Sequence, residues 1–400
     1  MIFFIRCAVS HILGADKSLI TMKYYCILLL ALFANGCRKK AFIEFTGNAP
    51  GVKNGVFIVK TTGDSTVFGE NIKGGKFTIG RQYLKAPGYY TMNIINSGDT
   101  ANHNAFEVYL ENGKYNIETE AGKLYKYPKI TSPSKIQVQL SAFYTLSDSL
   151  DLDANKEMKL LNAELTAKGR TMSNVAFAQL INLISQAKIK VITNNVTAFT
   201  EFLKRYPEND ISAHLMSKLN YEDDPVSYYA IYKTLKPSAK NSDEGKEIGE
   251  RLSRLVKLVP GVTAPAITGK MPNGKLFDQK SVVAKFILID FWRAGNDFSR
   301  RNHAGLINLL QDMKGKNKLA IVSVSLDSKQ DWWATAIAED HMTWQQVSDL
   351  KGDDSPNAAN WGITTIPTYY LLDSNWKIVG RNLNIGNVGF EVTNYIRTHP

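Results

Sequence analysis

Two polar residues three apart, Asn296 and Ser299, stand where an apolar run turns into a helix. The run is Phe286-Ile287-Leu288-Ile289, which reads as a strand, and the stretch FWRAGNDFSRRN (residues 291–302) follows it. A side chain at the first turn of a helix sees unpaired N–H groups and the positive end of the helix dipole. That position suits an anionic nucleophile. The residue types present do not support such chemistry. Serine needs an adjacent base, and its neighbours Arg300 and Arg301 are not bases. What these residues do well here is capping: Asn296 or Asp297 reads as the N-cap, and Ser299 as a partner for a first-turn N–H. Leu306, Leu309, Leu310 and Met313 supply the buried face. Arg293, Arg300, Arg301 and His303 make the junction basic, and the arginines are expected to be solvated.

Sulfur chemistry is bounded by position. The three cysteines are Cys7, Cys26 and Cys37, so the chain beyond residue 37 cannot form an internal disulfide, a thiolate metal site or a dithiol pair. No metal and no cofactor is expected. The formal charge of +11 could signal an anionic partner, but the basic residues are scattered without a stripe or an aromatic-basic repeat. Nucleic acid is therefore not expected as a partner.

The N-terminal cysteines belong to a leader. From Met22, MKYYCILLLALFANGC carries Lys23, an apolar run from Tyr24 to Phe33 and then Cys37. That run is half the ~20 residues a spanning helix needs, so residues 1–36 read as a secretory signal with Met22 as the true start. Phe33-Ala34-Asn35-Gly36-Cys37 resembles the lipobox of bacterial lipoproteins, which implies cleavage before Cys37 and its acylation. The expected location is the cell envelope of a Gram-negative-type bacterium, with the chain lipid-anchored. Arg38-Lys39-Lys40 does not resemble the acidic export signals of surface lipoproteins, so the chain is expected to face the periplasm.

The elements that must position the junction fall into three regions within a multidomain α+β chain. Residues 37–131 show short alternating strands punctuated by Gly, Asn and Asp, with Asn112-Gly113 as a hairpin turn, and read as a β-sandwich-like domain. Residues 132–258 change to helical spacing and read as a helical linker that packs one domain on the other. Residues 259–400 alternate strands and helices, the order of an α/β sandwich with a right-handed first crossover.

Over about Val262 to Pro400 the chain resembles the TlpA-like thioredoxin-fold proteins of bacterial envelopes, a group that includes thiol-disulfide oxidoreductases. The resemblance is carried by Phe286 through Trp292, by Asp327, by Trp344-Gln345-Gln346-Val347 and by Trp361-Gly362-Ile363-Thr364-Thr365-Ile366-Pro367-Thr368. The preceding β-domain is similar to one of unknown function that often accompanies such domains. The resemblance implies that Asn296 and Ser299 occupy the attacking and resolving positions of a Cys-x-x-Cys pair, and that Asp290 matches the buried acid behind it. It also implies a cis Ile366-Pro367 bond whose backbone edge, flanked by Trp292 and Thr368, pairs with an extended peptide. Asp290 then becomes a hydrogen-bonding structural residue or a partner for one of the arginines.

Two functions follow as expectations. One is a non-redox polypeptide-binding or scaffolding lipoprotein with an envelope protein or peptide as partner. The other is a thiol-disulfide oxidoreductase or peroxiredoxin-like antioxidant protein in envelope redox homeostasis, its thiol supplied from elsewhere. A surface-exposed ligand-capture role for the β and helical segments is a third reading.

Overall fold

The structure, a computed structural model, describes residues 42–98, 105–169, 171–313, 318–383 and 388–398. Met22, Cys37 and the expected signal segment lie outside the described residues. The chain divides into two compact units between Asp148 and Ser149.

The first unit is built from β1 (Phe42–Asn48), β2 (Asn54–Lys60), β3 (Thr66–Lys73), β4 (Lys76–Tyr83), β5 (Gly88–Asn96), β6 (Ala105–Leu110), β7 (Gly113–Glu118) and β8 (Lys129–Thr131). Their order is β6-β5-β2-β3-β4-β1-β7-β8. Every second residue of β2 is buried, as a strand with one covered face requires. β3 and β4 pair only at Lys73 and Lys76, around Gly74 and Gly75 with φ of 57° and 79°. The two halves of the sheet pack face to face through aromatic residues: Phe57 on β2 stacks on Phe77 of β4 with centroids 4.3 Å apart, and Phe45 lies 5.3 Å from Phe57. The result is the expected sandwich-like β-domain.

The expected Asn112-Gly113 hairpin does not form. β6 pairs with β5, whereas β7 pairs with β1 in parallel and with β8. At this point the chain crosses from one half of the sheet to the other. Asn112 Oδ1 accepts the Phe42 N–H at 2.9 Å, and the Tyr115 hydroxyl accepts the Glu111 N–H at 2.9 Å. Long-range pairing thus overrides the local turn signal. Helix α1 (Lys135–Lys168) begins in this unit, where Gln137 Oε1 accepts the Tyr109 N–H at 2.7 Å and covers part of the β6 edge.

The second unit opens with the rest of α1, followed by α2 (Asn174–Arg205), α3 (Ser212–Ser217), α4 (Pro225–Thr234), α5 (Pro237–Asn241) and α6 (Asp243–Leu255). Ser173, Asp224 and Ser242 cap α2, α4 and α6 through their side-chain oxygens. The remaining elements are β9 (Phe286–Trp292), α7 (Asp297–Asp312), β10 (Leu319–Ser325), α8 (Gln330–Glu339), β11 (Gln345–Ser348), α9 (Pro356–Asn360), β12 (Thr368–Asp373), β13 (Ile378–Arg381) and α10 (Val388–Thr398). The sheet runs β11-β10-β9-β12-β13. β9, β10 and β11 are parallel, and β12 lies antiparallel to both β9 and β13.

β9 is buried at every position because both faces of the sheet are covered. Ile287, Ile289 and Phe291 pack with Trp361 and with Leu255 and Leu258 from the end of the helical segment. Phe286 and Leu288 pack on the other face with Leu306 and Leu309 of α7 and Val392 of α10. The helical segment therefore contributes side chains to the core of the sheet that holds the candidate site.

Candidate functional site

Asn296 is the N-cap of α7. Its backbone is extended (φ −102°, ψ 109°), and its Oδ1 accepts the Ser299 N–H at 2.8 Å. The same amide reaches the Ile366-Pro367 loop, its Nδ2 lying 3.4 Å from the Ile366 carbonyl oxygen. Ser299 does not cap as its type suggested. Its N–H is the group that is capped, while its fully buried hydroxyl has no hydrogen-bond partner among the described residues.

Of the arginines expected to be solvated, Arg301 is exposed, whereas Arg293 and Arg300 are half-buried and ion-paired. Arg300 donates from Nε and Nη2 to both carboxylate oxygens of Asp340 at 2.5 and 2.8 Å, to Glu339 at 2.8 Å, and from Nη1 to the Ala294 carbonyl at 3.2 Å. Arg293 pairs with Asp353, and the Arg301 guanidinium lies 4.6 Å over the Phe298 ring. Only the acids at the end of α8, 39 and 40 residues away in sequence, explain why Arg300 folds back rather than pointing to solvent.

Beneath the cap lies a buried polar network. Asp290 is fully buried on β9, and its Oδ2 accepts the Ser323 hydroxyl at 2.7 Å, which in turn accepts Trp344 Nε1–H at 2.8 Å. His303, one turn beyond Ser299 and only 1% exposed, places Nε2 3.7 Å from Asp290 Oδ2. This is an ion-pair separation and not a hydrogen bond. Its Nδ1 lies 2.6 Å from Asp340 Oδ2. The sequence-level choice for Asp290, a hydrogen-bonded residue or an arginine partner, resolves to a serine hydroxyl and a histidine. Burial pulls the His303 imidazole down, but Asp290 and Asp340 outweigh it and hold the group above its ordinary value. Burial would raise the Asp340 carboxyl, yet Arg300 and His303 keep it below the usual carboxylate range. Arg300, Asp340, His303 and Asp290 thus follow one another from the surface to the sheet as alternating basic and acidic side chains.

This arrangement does not activate Ser299. His303 supplies the base the sequence seemed to lack, but neither its Nε2 nor the Ser299 hydroxyl has a hydrogen-bond partner among the described residues, and both groups are buried. His303 was read only as part of the basic junction, and its pairing with Asp340 escaped sequence reasoning because it is between elements. The available signal was that Ser299, His303 and Leu306 share one helical face.

The four binding candidates gather at one end of β9 and β12. Trp292 is fully buried, with its ring edge-on to His303 at 4.8 Å. The Ile366-Pro367 bond is cis, with Pro367 buried and Ile366 half-buried. Thr368 is buried, donates its hydroxyl to the Thr365 carbonyl at 2.7 Å and pairs with Phe291. Of the four, only Ile366 presents side-chain surface. Thr364 and Thr365 are exposed, and the N–H groups of Thr364, Thr365 and Ile366 have no hydrogen-bond partner among the described residues.

A five-stranded mixed sheet with this order, a capped helix following its central strand and a cis-proline loop beside that helix's start define the fold of the domain. It is thioredoxin-like. Its C-terminal region, about a third of the chain, is similar to the thioredoxin domain of a thiol-disulfide oxidoreductase from Bacteroides vulgatus, with 31% identity over 35% of this chain and 99% of that one and a TM-score of 0.33. It is also similar to a thiol:disulfide interchange protein from Bacteroides sp., with 30% identity over 35% of this chain and 92% of that one and a TM-score of 0.33. A thiol-disulfide oxidoreductase from Bacteroides fragilis matches at 26% identity over 33% of this chain and 98% of that one, with a TM-score of 0.31. No family model matches the chain, and no curated protein does.

Proposed function

We propose that this thioredoxin-like protein binds extended polypeptide through the Thr364–Ile366 edge and performs no thiol-disulfide exchange. The observation that carries the reading is the combination at one place of backbone donors on Thr364, Thr365 and Ile366 that have no partner among the described residues with Asn296 and Ser299 at the helix start. Backbone N–H groups at a free edge can pair with a peptide strand without any sulfur. Exchange needs a thiolate, and the chain beyond Cys37 has none.

In the same reading the chain is anchored in the cell envelope by an acylated Cys37 and faces the periplasm, with an envelope protein or peptide as partner. Mass spectrometry of the mature N-terminus tests the anchor: a diacylglyceryl-modified Cys37 supports it, and an unmodified thiol overturns it. The binding function is tested with an array of synthetic extended peptides probed with the folded chain and with Thr365→Pro, which deletes one edge donor. Retention that the proline variant loses is the expected result. Absence of retention, or retention the variant leaves intact, refutes the edge.

A further inference from the structure

The loop that offers these donors is held from behind by the helical segment. Arg251 on α6, with its side chain 11% exposed, donates from Nη1 to the Gly362 carbonyl at 2.9 Å, and its Nη2 lies 3.4 Å from Thr364 Oγ1. The rest of the guanidinium is clamped by Glu222, with Nε and Nη2 donating to its two carboxylate oxygens at 2.6 and 2.8 Å. Arg381 of β13 donates to the Glu222 backbone carbonyl, so Glu222 is itself fixed from the sheet.

Arg251, Leu255 and Leu258 follow one another at i, i+4 and i+7 and together wall Gly362. A Cβ there would stand 3.2 Å from Leu258, 3.4 Å from Arg251 Nη1 and 3.6 Å from Leu255. Gly362 also lies at a φ of +61°, a region that favours glycine. The loop is therefore gripped through a carbonyl at its start, while the N–H groups of the three residues before Pro367 have no partner among the described residues.

We propose that Arg251 is a positioning residue for the Gly362–Ile366 loop, so that the helical segment sets the geometry of the edge. The use of that edge for peptide rests on the function proposed above; its positioning by Arg251 does not. Arg251 is favoured over a purely packing contact because a bidentate, charge-assisted pair aims its remaining N–H at a backbone carbonyl in a fixed direction.

Hydrogen exchange followed by mass spectrometry on the full chain tests this without any peptide. Arg251→Met removes the whole clamp, and Arg251→Lys keeps the charge but cannot serve Glu222 and Gly362 with a planar fork. Exchange of the hydrogen-bonded Trp361, Gly362 and Ile363 amides, read in peptides covering residues 361–368, is expected to rise about ten- to a hundredfold in Arg251→Met, the loss of a charged hydrogen bond, and less in Arg251→Lys. Exchange in β9 and β10 should stay unchanged in Arg251→Lys. Unchanged exchange over 361–368 in the lysine variant, or a rise shared equally by β9 and β10, overturns the proposal. A blank peptide array with a responsive loop would instead sink the peptide edge alone.

Discussion

Replacing His303 by leucine should destabilise the thioredoxin-like domain by about 3–5 kcal/mol, although leucine is apolar and of similar size. The magnitude follows from what the imidazole leaves behind. Asp340 keeps both contacts from Arg300 at 2.5 and 2.8 Å. Asp290, fully buried, keeps only the Ser323 hydroxyl at 2.7 Å, having lost the cation 3.7 Å away. Removing one partner of a buried pair costs about 3–5 kcal/mol because the other charge stays in a low-dielectric site, whereas removing both is far less costly.

Asp290→Asn combined with His303→Leu should therefore cost less than the sum of the two single changes, with a coupling of about 2 kcal/mol or more. Urea unfolding followed by tryptophan emission isolates the domain, because all six tryptophans lie between residues 292 and 376. For a unit of this size the single change corresponds to a fall of roughly 6–20 °C in Tm. A His303→Leu midpoint within about 1 kcal/mol of the parent, or strictly additive single changes, would show that the histidine is packing and not a charge partner.

The same network gives stability a pH dependence of known sign. Because folding raises the His303 value, its contribution is complete below the unfolded value of about 6.5 and is lost as pH rises through the folded one. Asp340 is lowered by folding, so its contribution is present above about pH 4 and is lost as pH falls through its folded value. Urea midpoints from pH 5 to 9 should decline on the alkaline side, and the decline should vanish in His303→Leu. Asn296→Ala removes the cap and the contact with the Ile366 carbonyl, and should cost about 1 kcal/mol by the same urea assay. Asn296→Cys with Ser299→Cys should install a dithiol that oxidises and reduces insulin, while the parent stays blank. A folded double variant that titrates as two free thiols under oxidant would show that the helix start no longer holds the geometry of a dithiol pair.

How much of this was legible in the residues depends on the range of the interaction that decides it. The strand through Trp292, the helix from Asp297 and the cap at Asn296 were readable because apolar runs and capping residues act within a few positions. The Ile366-Pro367 loop was readable through resemblance, from the residues around it. The partners of Arg300 and His303 were not, since Asp340 comes from another helix and no local pattern names it. Asn112-Gly113 failed for the converse reason: its local preference is real, but β7 gains more by pairing with β1 than with β6. No local pattern singles out Arg251, because its partner, the Gly362 carbonyl, is 111 residues away.

The position of β1 has a consequence for biogenesis. It lies between β4 and β7, and its parallel partner begins seventy residues later, Ile43 facing Gly113. A chain that emerges from a ribosome or a translocon in vectorial order has one open side on this strand until Glu118 has cleared the exit. During that interval Ile43 and Phe45 are apolar and their backbone groups on that side are unsatisfied, the combination that recruits foreign strands. Truncations ending between β6 and β7 should accordingly be sticky, and the domain should become soluble only once the seventh strand is supplied. A holding chaperone at the exit would have its greatest effect in that same window.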